Sequence, residues 1–432
     1  MPHNRRSALT AALGDARQRD AADPLTVYRS KFHLPAPRSG REVVYFCGNS
    51  LGLMPIAAGA AVGTVLDDWR ERAVRGHFEG GTPWLDYHEA ARGPLARLCG
   101  ADEHEVVAMN SLTVNLHLLM ASFFRPTADR NAILIEAGAF PSDRYAVRSQ
   151  LAWHGFGDDA LLEWPADPDT GLLDLAALDA LLERDGARIA LALLPGVQYA
   201  TGQLLPIADA CRLLRRHNIT IGLDLAHAIG NVPLTLSDDG VDFAVWCSYK
   251  YLNSGPGAVA GAYVHERHHT AALPRLEGWW GNRSDSRFLM RDRFDAAPGV
   301  DAWQLSNPPI LGLAPVIASL ELFDAVGMTK LRRKSLALTG LMRALINEHF
   351  ADVLTVSTPA DDNEHGCQLS LRSPSGSQHA RLLFDALDAA NVVGDWREPD
   401  ILRFAPVPLY NSFGDVVTFC QRLEQVLTAE AA

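Results

Sequence analysis

The feature that most constrains this chain is a series of short apolar runs separated by helical patterns. Residues 189–194 (IALALL) are continuously apolar. A strand reads that way when both of its faces are buried, as in a parallel sheet covered by helices. Residues 132–136 (AILIE), 219–223 (ITIGL), 242–246 and 258–264 are runs of the same kind, with helical patterns at 143–153 and 207–217 between them. This alternation predicts an α/β fold, a large domain whose central sheet is mainly parallel and flanked by helices. The large domain is placed at residues 75–310. After Asn307-Pro308-Pro309 the character changes. Helical patterns at 310–326 and 331–350 precede short strands at 353–356, 368–371 and 402–405, with helices at 378–390 and 414–429. A small α+β domain is expected over 311–432. Residues 1–74 have little core of their own and are expected to pack against it.

Charge narrows the partners. Lys and Arg number 39 against 51 Asp and Glu, a formal charge of −12. Such a chain is a poor general nucleic-acid binder, because phosphate affinity needs a basic surface, but it can still hold a local pocket for one small anion. No run approaches the ~20 apolar residues of a membrane helix. The first twenty residues lack the apolar core of a secretory signal. The six cysteines, Cys47, Cys99, Cys211, Cys247, Cys367 and Cys420, are scattered and form no C-x-x-C. Free thiols in a reducing cytoplasm are expected.

Three segments carry chemistry. The first is Met109-Asn110-Ser111-Leu112-Thr113, ahead of an apolar helical run. Ser111 and Thr113 are natural cap residues, and a helix N-terminus with hydroxyls beside it binds phosphate. The second is Asp224 at the carboxyl end of an apolar strand, followed by His227. Open α/β sheets bind ligands at that edge. The third is Ser248-Tyr249-Lys250-Tyr251, which ends another strand before a Gly/Pro loop. Lysine is rarely buried without a partner, and a desolvated amine suits a Schiff base. A phosphate cap, an acid and then a lysine is the order expected of a pyridoxal phosphate site, which needs an anion cradle, a carboxylate for the pyridine nitrogen and an amine for the aldehyde.

Two other patterns compete. His265-Glu266-Arg267-His268-His269 matches H-E-x-x-H, the signature of a zinc peptidase when it lies on a helix facing a cleft. Here it follows a strand in a polar connection, and no metal site is expected. Residues 255–261 are glycine-rich but lead into a strand, the wrong context for a dinucleotide fingerprint.

At these residues the chain closely resembles the kynureninase family, pyridoxal phosphate-dependent hydrolases of the aspartate aminotransferase fold type. The resemblance rests on YFCGNSLGLMP (45–55), MNSLTVNLHLLMASFFRPT (109–127), EAGAFPSDRYAVRSQ (136–150), GVQYATGQLLPI (196–207), GLDLAHAIGNVPL (222–234), VDFAVWCSYKYLNSGPG (241–257), GWWGNR (278–283), QLSNPPIL (304–311) and RFAPVPLYNSF (403–413). It implies hydrolytic Cβ–Cγ cleavage of L-kynurenine, or its 3-hydroxy form, to anthranilate or 3-hydroxyanthranilate and L-alanine, by a homodimer with its active site at the subunit interface. By that resemblance Lys250 is the Schiff-base lysine and Asp224 the partner of the pyridine nitrogen, with His227 beside the ring. Phe140 stacks on the ring, and Asp143 lies close by. Leu112 and Thr113 hold the phosphate. Tyr249 reaches it too and is a candidate proton donor. Trp279 and Asn307 are further phosphate-side contacts, a kind that often comes from the neighbouring subunit. Arg403 clamps the substrate α-carboxylate, and Ser50, His77 and Asn307 line the substrate pocket. Pro195 replaces a small polar residue and is given no cofactor contact. Within the same cofactor class the alternative is a lyase or desulfurase, whose reactive cysteine would be Cys367.

Overall fold

The computed structural model describes residues 2–37 and 40–430. Its strands, in chain order, are β1 (Val44–Tyr45), β2 (Val106–Ala108), β3 (Ala132–Glu136), β4 (Leu161–Trp164), β5 (Ile189–Pro195), β6 (Thr220–Asp224), β7 (Phe243–Trp246), β8 (Gly261–Val264), β9 (Thr355–Val356), β10 (Leu369–Arg372), β11 (Val392–Val393), β12 (Asp395–Arg397) and β13 (Ile401–Phe404). Seven of them form one sheet in the order β2-β8-β7-β6-β5-β3-β4. The β7-β6-β5-β3-β4 pairings are all parallel. Strand β8 is antiparallel to both β7 and β2, which corrects the reading of 258–264 as one more parallel strand. The reason lies in the connection: residues 247–260 form turns and no helix, and a parallel return usually needs a helical crossover.

The continuous apolar runs have the expected cause. Every residue of β3 is buried. Successive side chains of a strand point to opposite faces, and here each face has its own core. Ile133, Ile135, Leu191, Leu193, Phe243 and Val245 share one cluster with Leu116, Leu119, Val147 and Leu151. These belong to the helices Leu112–Phe123 and Pro141–Trp153. Leu134, Ile189, Leu194, Ile221, Leu223 and Trp246 share the other with Leu178, Leu182, Leu214 and Leu320, from the helices Leu175–Asp185, Ile207–Arg216 and Ile310–Val326. The sheet is therefore wrapped on both sides. Among the described residues, no single helix is long and apolar enough to cross a membrane.

The remaining strands build smaller units. An antiparallel sheet runs β12-β13-β10-β9, and β1 pairs in parallel with β11. Their core joins Leu9 and Ala16 of the helix Pro2–Ala22, Val44 and Phe46, Met342 and Ile346 of the helix Met328–His349, and Val416 and Phe419 of the helix Phe413–Glu430. The N-terminal stretch is thus split. Its first helix and β1 pack here, whereas Phe32 and Leu53 join the core of the large sheet.

Candidate active site

The parallel strands end side by side: β3 at Glu136, β5 at Pro195 and β6 at Asp224. This carboxyl edge, where open α/β sheets place their ligands, opens onto a narrow cleft. It is lined by Glu136, Phe140, Asp143, Pro195, Val197, Tyr199, Asp224, Ala226, His227 and Lys250. Five residues singled out in the sequence, Phe140, Asp143, Asp224, His227 and Lys250, thus share one space.

Lys250 lies four residues past β7, in the turn before β8, with its Nζ 3.1 Å from His227 Nε2. Its ammonium sits 5.8 Å from the centre of the Phe140 ring and 5.9 Å from that of Tyr249. Burial, followed by the charges of Lys250, Arg403 and Arg397, pushes the His227 pKa well below the ordinary histidine value. A neutral imidazole can accept a hydrogen bond from Lys250 at Nε2. Its Nδ1 is buried with no partner among the described residues.

Opposite stand three carboxyl groups. Asp224 Oδ1 accepts the Ala226 N–H at 2.7 Å. Asp143 lies on the first turn of the helix Pro141–Trp153 and faces Asp224. Burial first, then the Asp224 charge and the hydrogen bond between the two, pushes the Asp143 pKa well above the carboxylate range. Asp143 therefore carries the proton of the pair. Glu136 is pushed up to about 8, again mainly by burial.

Two helix N-termini converge beside this cluster. Leu112 opens one, after Asn110 has turned the chain through a left-handed conformation (φ 48°) that asparagine tolerates. Thr113 Oγ1 lies 3.1 Å from Ser142 Oγ of the other. Ser111 is the cap residue by backbone geometry, but its side chain makes no capping hydrogen bond. The helix dipoles, the N–H groups that Ser111 leaves uncapped and the paired Thr113 and Ser142 hydroxyls make this a place that suits an anion.

Arg403 on β13 is completely buried. Its Nη1 donates to the Tyr199 carbonyl at 2.7 Å, and Tyr199 stands edge-on to Phe140 with ring centres 5.1 Å apart. Arg403 Nη2 lies 2.8 Å from Asp395 Oδ1, close enough for an ion pair but misaligned for a hydrogen bond; Nε likewise lacks an acceptor. Ser50 belongs to a tight turn, its N–H donating to the Cys47 carbonyl, and Gly52, two residues on, donates to the Tyr249 carbonyl at 2.8 Å. Tyr249 itself is half-buried, and burial, followed by the neighbouring Cys247, raises its phenol pKa.

Three further expected residues neither line the cleft nor pack against the groups described so far. His77 packs edge-on against Trp84 at 5.2 Å. Trp279 is 38% exposed and packs on Phe288. Asn307 is exposed. The residues the sequence did not single out are Glu136, Tyr199, Ser142, Asp395 and Arg397. Ser142 alone had a local signal, lying between Phe140 and Asp143.

The H-E-x-x-H segment does not have the helical geometry that its motif requires. Glu266–His268 is a short 3₁₀ turn rather than a helix. His265 turns toward Glu105 at 3.4 Å, and His269 Nε2 lies 2.9 Å from the Val264 carbonyl. The two histidines therefore have separate partners. Cys367 is 1% exposed, with its thiol pushed up to about 12 by burial. A reactive thiol needs a lowered pKa and access, so Cys367 is not the loop nucleophile of a desulfurase.

The comparisons with known proteins agree with this geometry. Residues 331–423 match the kynureninase C-terminal domain. A kynureninase of Xanthomonas campestris pv. campestris (strain B100) is 55% identical over 406 residues, 94% of this chain and 96% of that protein. A kynureninase of Xanthomonas oryzae pv. oryzae (strain PXO99A) is 55% identical over 417 residues, 96% and 98% of the two chains. Among solved structures, the cysteine desulfurase CsdA of Escherichia coli has a TM-score of 0.75 at 16% identity, covering 94% of this chain and 98% of its own. A variant of C-DES with glycine covalently linked to its PLP cofactor also has a TM-score of 0.75, at 18% identity, covering 88% and 96%. At such low identity these two show the fold, that of pyridoxal phosphate enzymes, while the near full-length relatives show the family. The chain belongs to the kynureninase family of pyridoxal phosphate-dependent hydrolases acting on carbon–carbon bonds.

Proposed function

We propose that Lys250 anchors pyridoxal phosphate and that the cleft hydrolyses the Cβ–Cγ bond of L-kynurenine or 3-hydroxykynurenine. The observation that carries this reading is the Lys250 Nζ–His227 Nε2 contact of 3.1 Å in a cleft shared with Asp224 and Asp143. The residues present fit the cofactor. A carboxylate pair holding one proton stands where a pyridine nitrogen needs a partner, and two helix N-termini with hydroxyls stand where a phosphate needs donors. Bound there, pyridoxal phosphate supplies the electron sink that acidifies the substrate Cα–H and makes the β-carbon a tolerable leaving group.

The chain's own residues do the rest. Lys250 moves the α-proton, with neutral His227 orienting its amine. Asp224 balances the pyridine nitrogen, and the proton on Asp143 prevents two adjacent negative charges. Leu112, Thr113 and Ser142 hold the phosphate, with Phe140 against the ring. Arg403 takes the substrate α-carboxylate on its unpaired N–H groups, a two-pronged task suited to guanidinium. Tyr249, whose hydroxyl stays protonated at neutral pH, donates a proton to the departing β-carbon. Water provides the oxygen that ends on the anthranilate carboxyl. Ser50 borders the substrate at the turn against the lysine loop.

The working unit in this reading is a homodimer. Val65, Trp69, Trp84, Pro309, Ile310, Leu311 and Gly312 line an apolar depression, and Trp69 and Leu311 are 59% and 42% exposed. His77 packs on Trp84 of this patch, Asn307 precedes its Pro309, and the Trp280 N–H bonds to Leu305 beside Asn307. The three residues absent from the lysine cleft therefore border the face that a second copy would cover, and they complete that copy's site. The free cysteines suit a reducing compartment such as the cytoplasm.

Lys250→Ala tests the assignment. It should remove the lysine-linked visible absorbance of bound cofactor and turnover together, whereas a variant retaining both would place the anchor elsewhere.

A further inference from the structure

Arg403 has a neighbour that the reaction scheme has not used. Strand β12 pairs antiparallel with β13, with Asp395 opposite Arg403 and Arg397 opposite Ile401. Asp395 and Arg397 are two positions apart and so share a face of β12. Asp395 bridges two arginines: Oδ1 lies 2.8 Å from Arg403 Nη2, and Oδ2 accepts from Arg397 Nη2 at 3.1 Å. One carboxylate set against two guanidinium groups leaves one positive charge over in the trio. Unused donors accompany that charge. Arg397 Nε and Arg403 Nε are buried without an acceptor among the described residues, and Arg403 Nη2 has only its misaligned contact with Asp395. Unpaired buried donors are costly and call for an explanation, of which an anionic ligand is one.

The trio also faces the reaction centre. The charge of Arg397 acts on His227, Tyr249 and Cys47, and that of Arg403 acts on His227 and Cys47. Asp395 is the carboxylate that pairs with both arginines, whereas Asp224, Asp143 and Glu136 cluster at the sheet edge around Lys250.

We propose that Arg397 is a second anion-binding residue of this cleft, held beside Arg403 by the Asp395 carboxylate that both share, and that the two arginines together take the α-carboxylate of the amino-acid substrate. The proposal rests on the reading of the cleft as an amino-acid site and adds a residue to it. A single substrate carboxylate neutralises the surplus charge and gives the orphaned N–H groups their acceptors. Asp395 is then a positioning residue, which fixes the spacing of the two guanidinium groups and stays clear of the reacting atoms.

The test uses the cofactor-loaded enzyme and two probes, L-alanine and its carboxylate-free counterpart ethylamine, each titrated through the change in visible absorbance of the bound cofactor. Arg397→Gln should weaken L-alanine binding by roughly ten- to hundredfold, the range for hydrogen bonds to charged groups, while ethylamine stays within about twofold. Arg397→Lys should recover part of the loss only, because an ammonium lacks the planar fork. Equal weakening of both probes would make Arg397 a structural residue and overturn the proposal. Unchanged binding of both would also overturn it. Should wild-type enzyme show the Arg397-dependent L-alanine binding yet release no anthranilate from kynurenine, this inference stands and the proposed reaction falls.

Discussion

Glu136 shows how a single residue at the sheet edge shapes the protein's response to pH. It ends a strand whose every side chain is buried, so its carboxyl has lost its water and holds its proton to about pH 8 in the fold, against an ordinary value of 4.5. Between those pH values the folded chain binds a proton that the unfolded chain has released. Stability therefore falls as pH rises through that window. Glu136→Gln removes this dependence. In cofactor-free protein the variant's melting temperature should decline less than that of the wild type between pH 5 and pH 8, by an amount equivalent to about a few kcal/mol. Parallel melting curves for the two proteins would show that Glu136 does not hold the proton. Residues of this kind were not legible in the sequence. Asp224 and Lys250 announced themselves because a charged residue at the end of an apolar run is unusual, but Glu136 ends such a run too, and only the neighbouring strands show that it shares a cleft with them. Asp395 and Arg397 had no signal, because their partner Arg403 joins them through strand pairing.

At the level of elements, the buried parallel strands were the most legible part of the chain. The run at 132–136 coincides with β3, and 189–194 lacks only Pro195 of β5. Both are continuously apolar because both of their faces are covered. Strand β4 was missed because its burial is partial and it carries Glu163 and a helix-compatible LLEW pattern. The helix Pro2–Ala22 was missed because its apolar positions are few and its partner, the helix Phe413–Glu430, lies at the other end of the chain. Loops place the lysine as firmly as strands do. A Cβ on Gly52 would run into the Lys250 carbonyl and the Asn253 side chain. Gly52→Ala should push the 47–52 turn off the lysine loop at an overpacking cost of about 1–3 kcal/mol. The expected signs are a lower melting temperature and a shifted cofactor absorbance. A variant identical to wild type in both would show that the two loops do not meet.

The proposed site draws on residues far apart in sequence. Ser50 comes from the N-terminal stretch, Asp224 and Lys250 from the central sheet, and Arg403 from the small antiparallel sheet. The acidic total of −12 is compatible with this, because the positive charge is concentrated at Lys250, Arg397 and Arg403. The apolar depression around Trp69 and Leu311 is the face assigned to a second copy. Leu311→Glu should convert a dimer into monomers in sedimentation velocity and reduce turnover with it, since His77, Trp279 and Asn307 would lose the cleft they complete; a sedimentation profile unchanged from wild type would move the interface elsewhere. Hydrolytic cleavage of the kynurenine side chain in this cleft is tested by adding L-kynurenine to the cofactor-loaded protein and following anthranilate fluorescence while assaying alanine. Anthranilate and L-alanine should form in equal amounts. Consumption of kynurenine without alanine, or no anthranilate from protein that retains its lysine-linked absorbance, would contradict it.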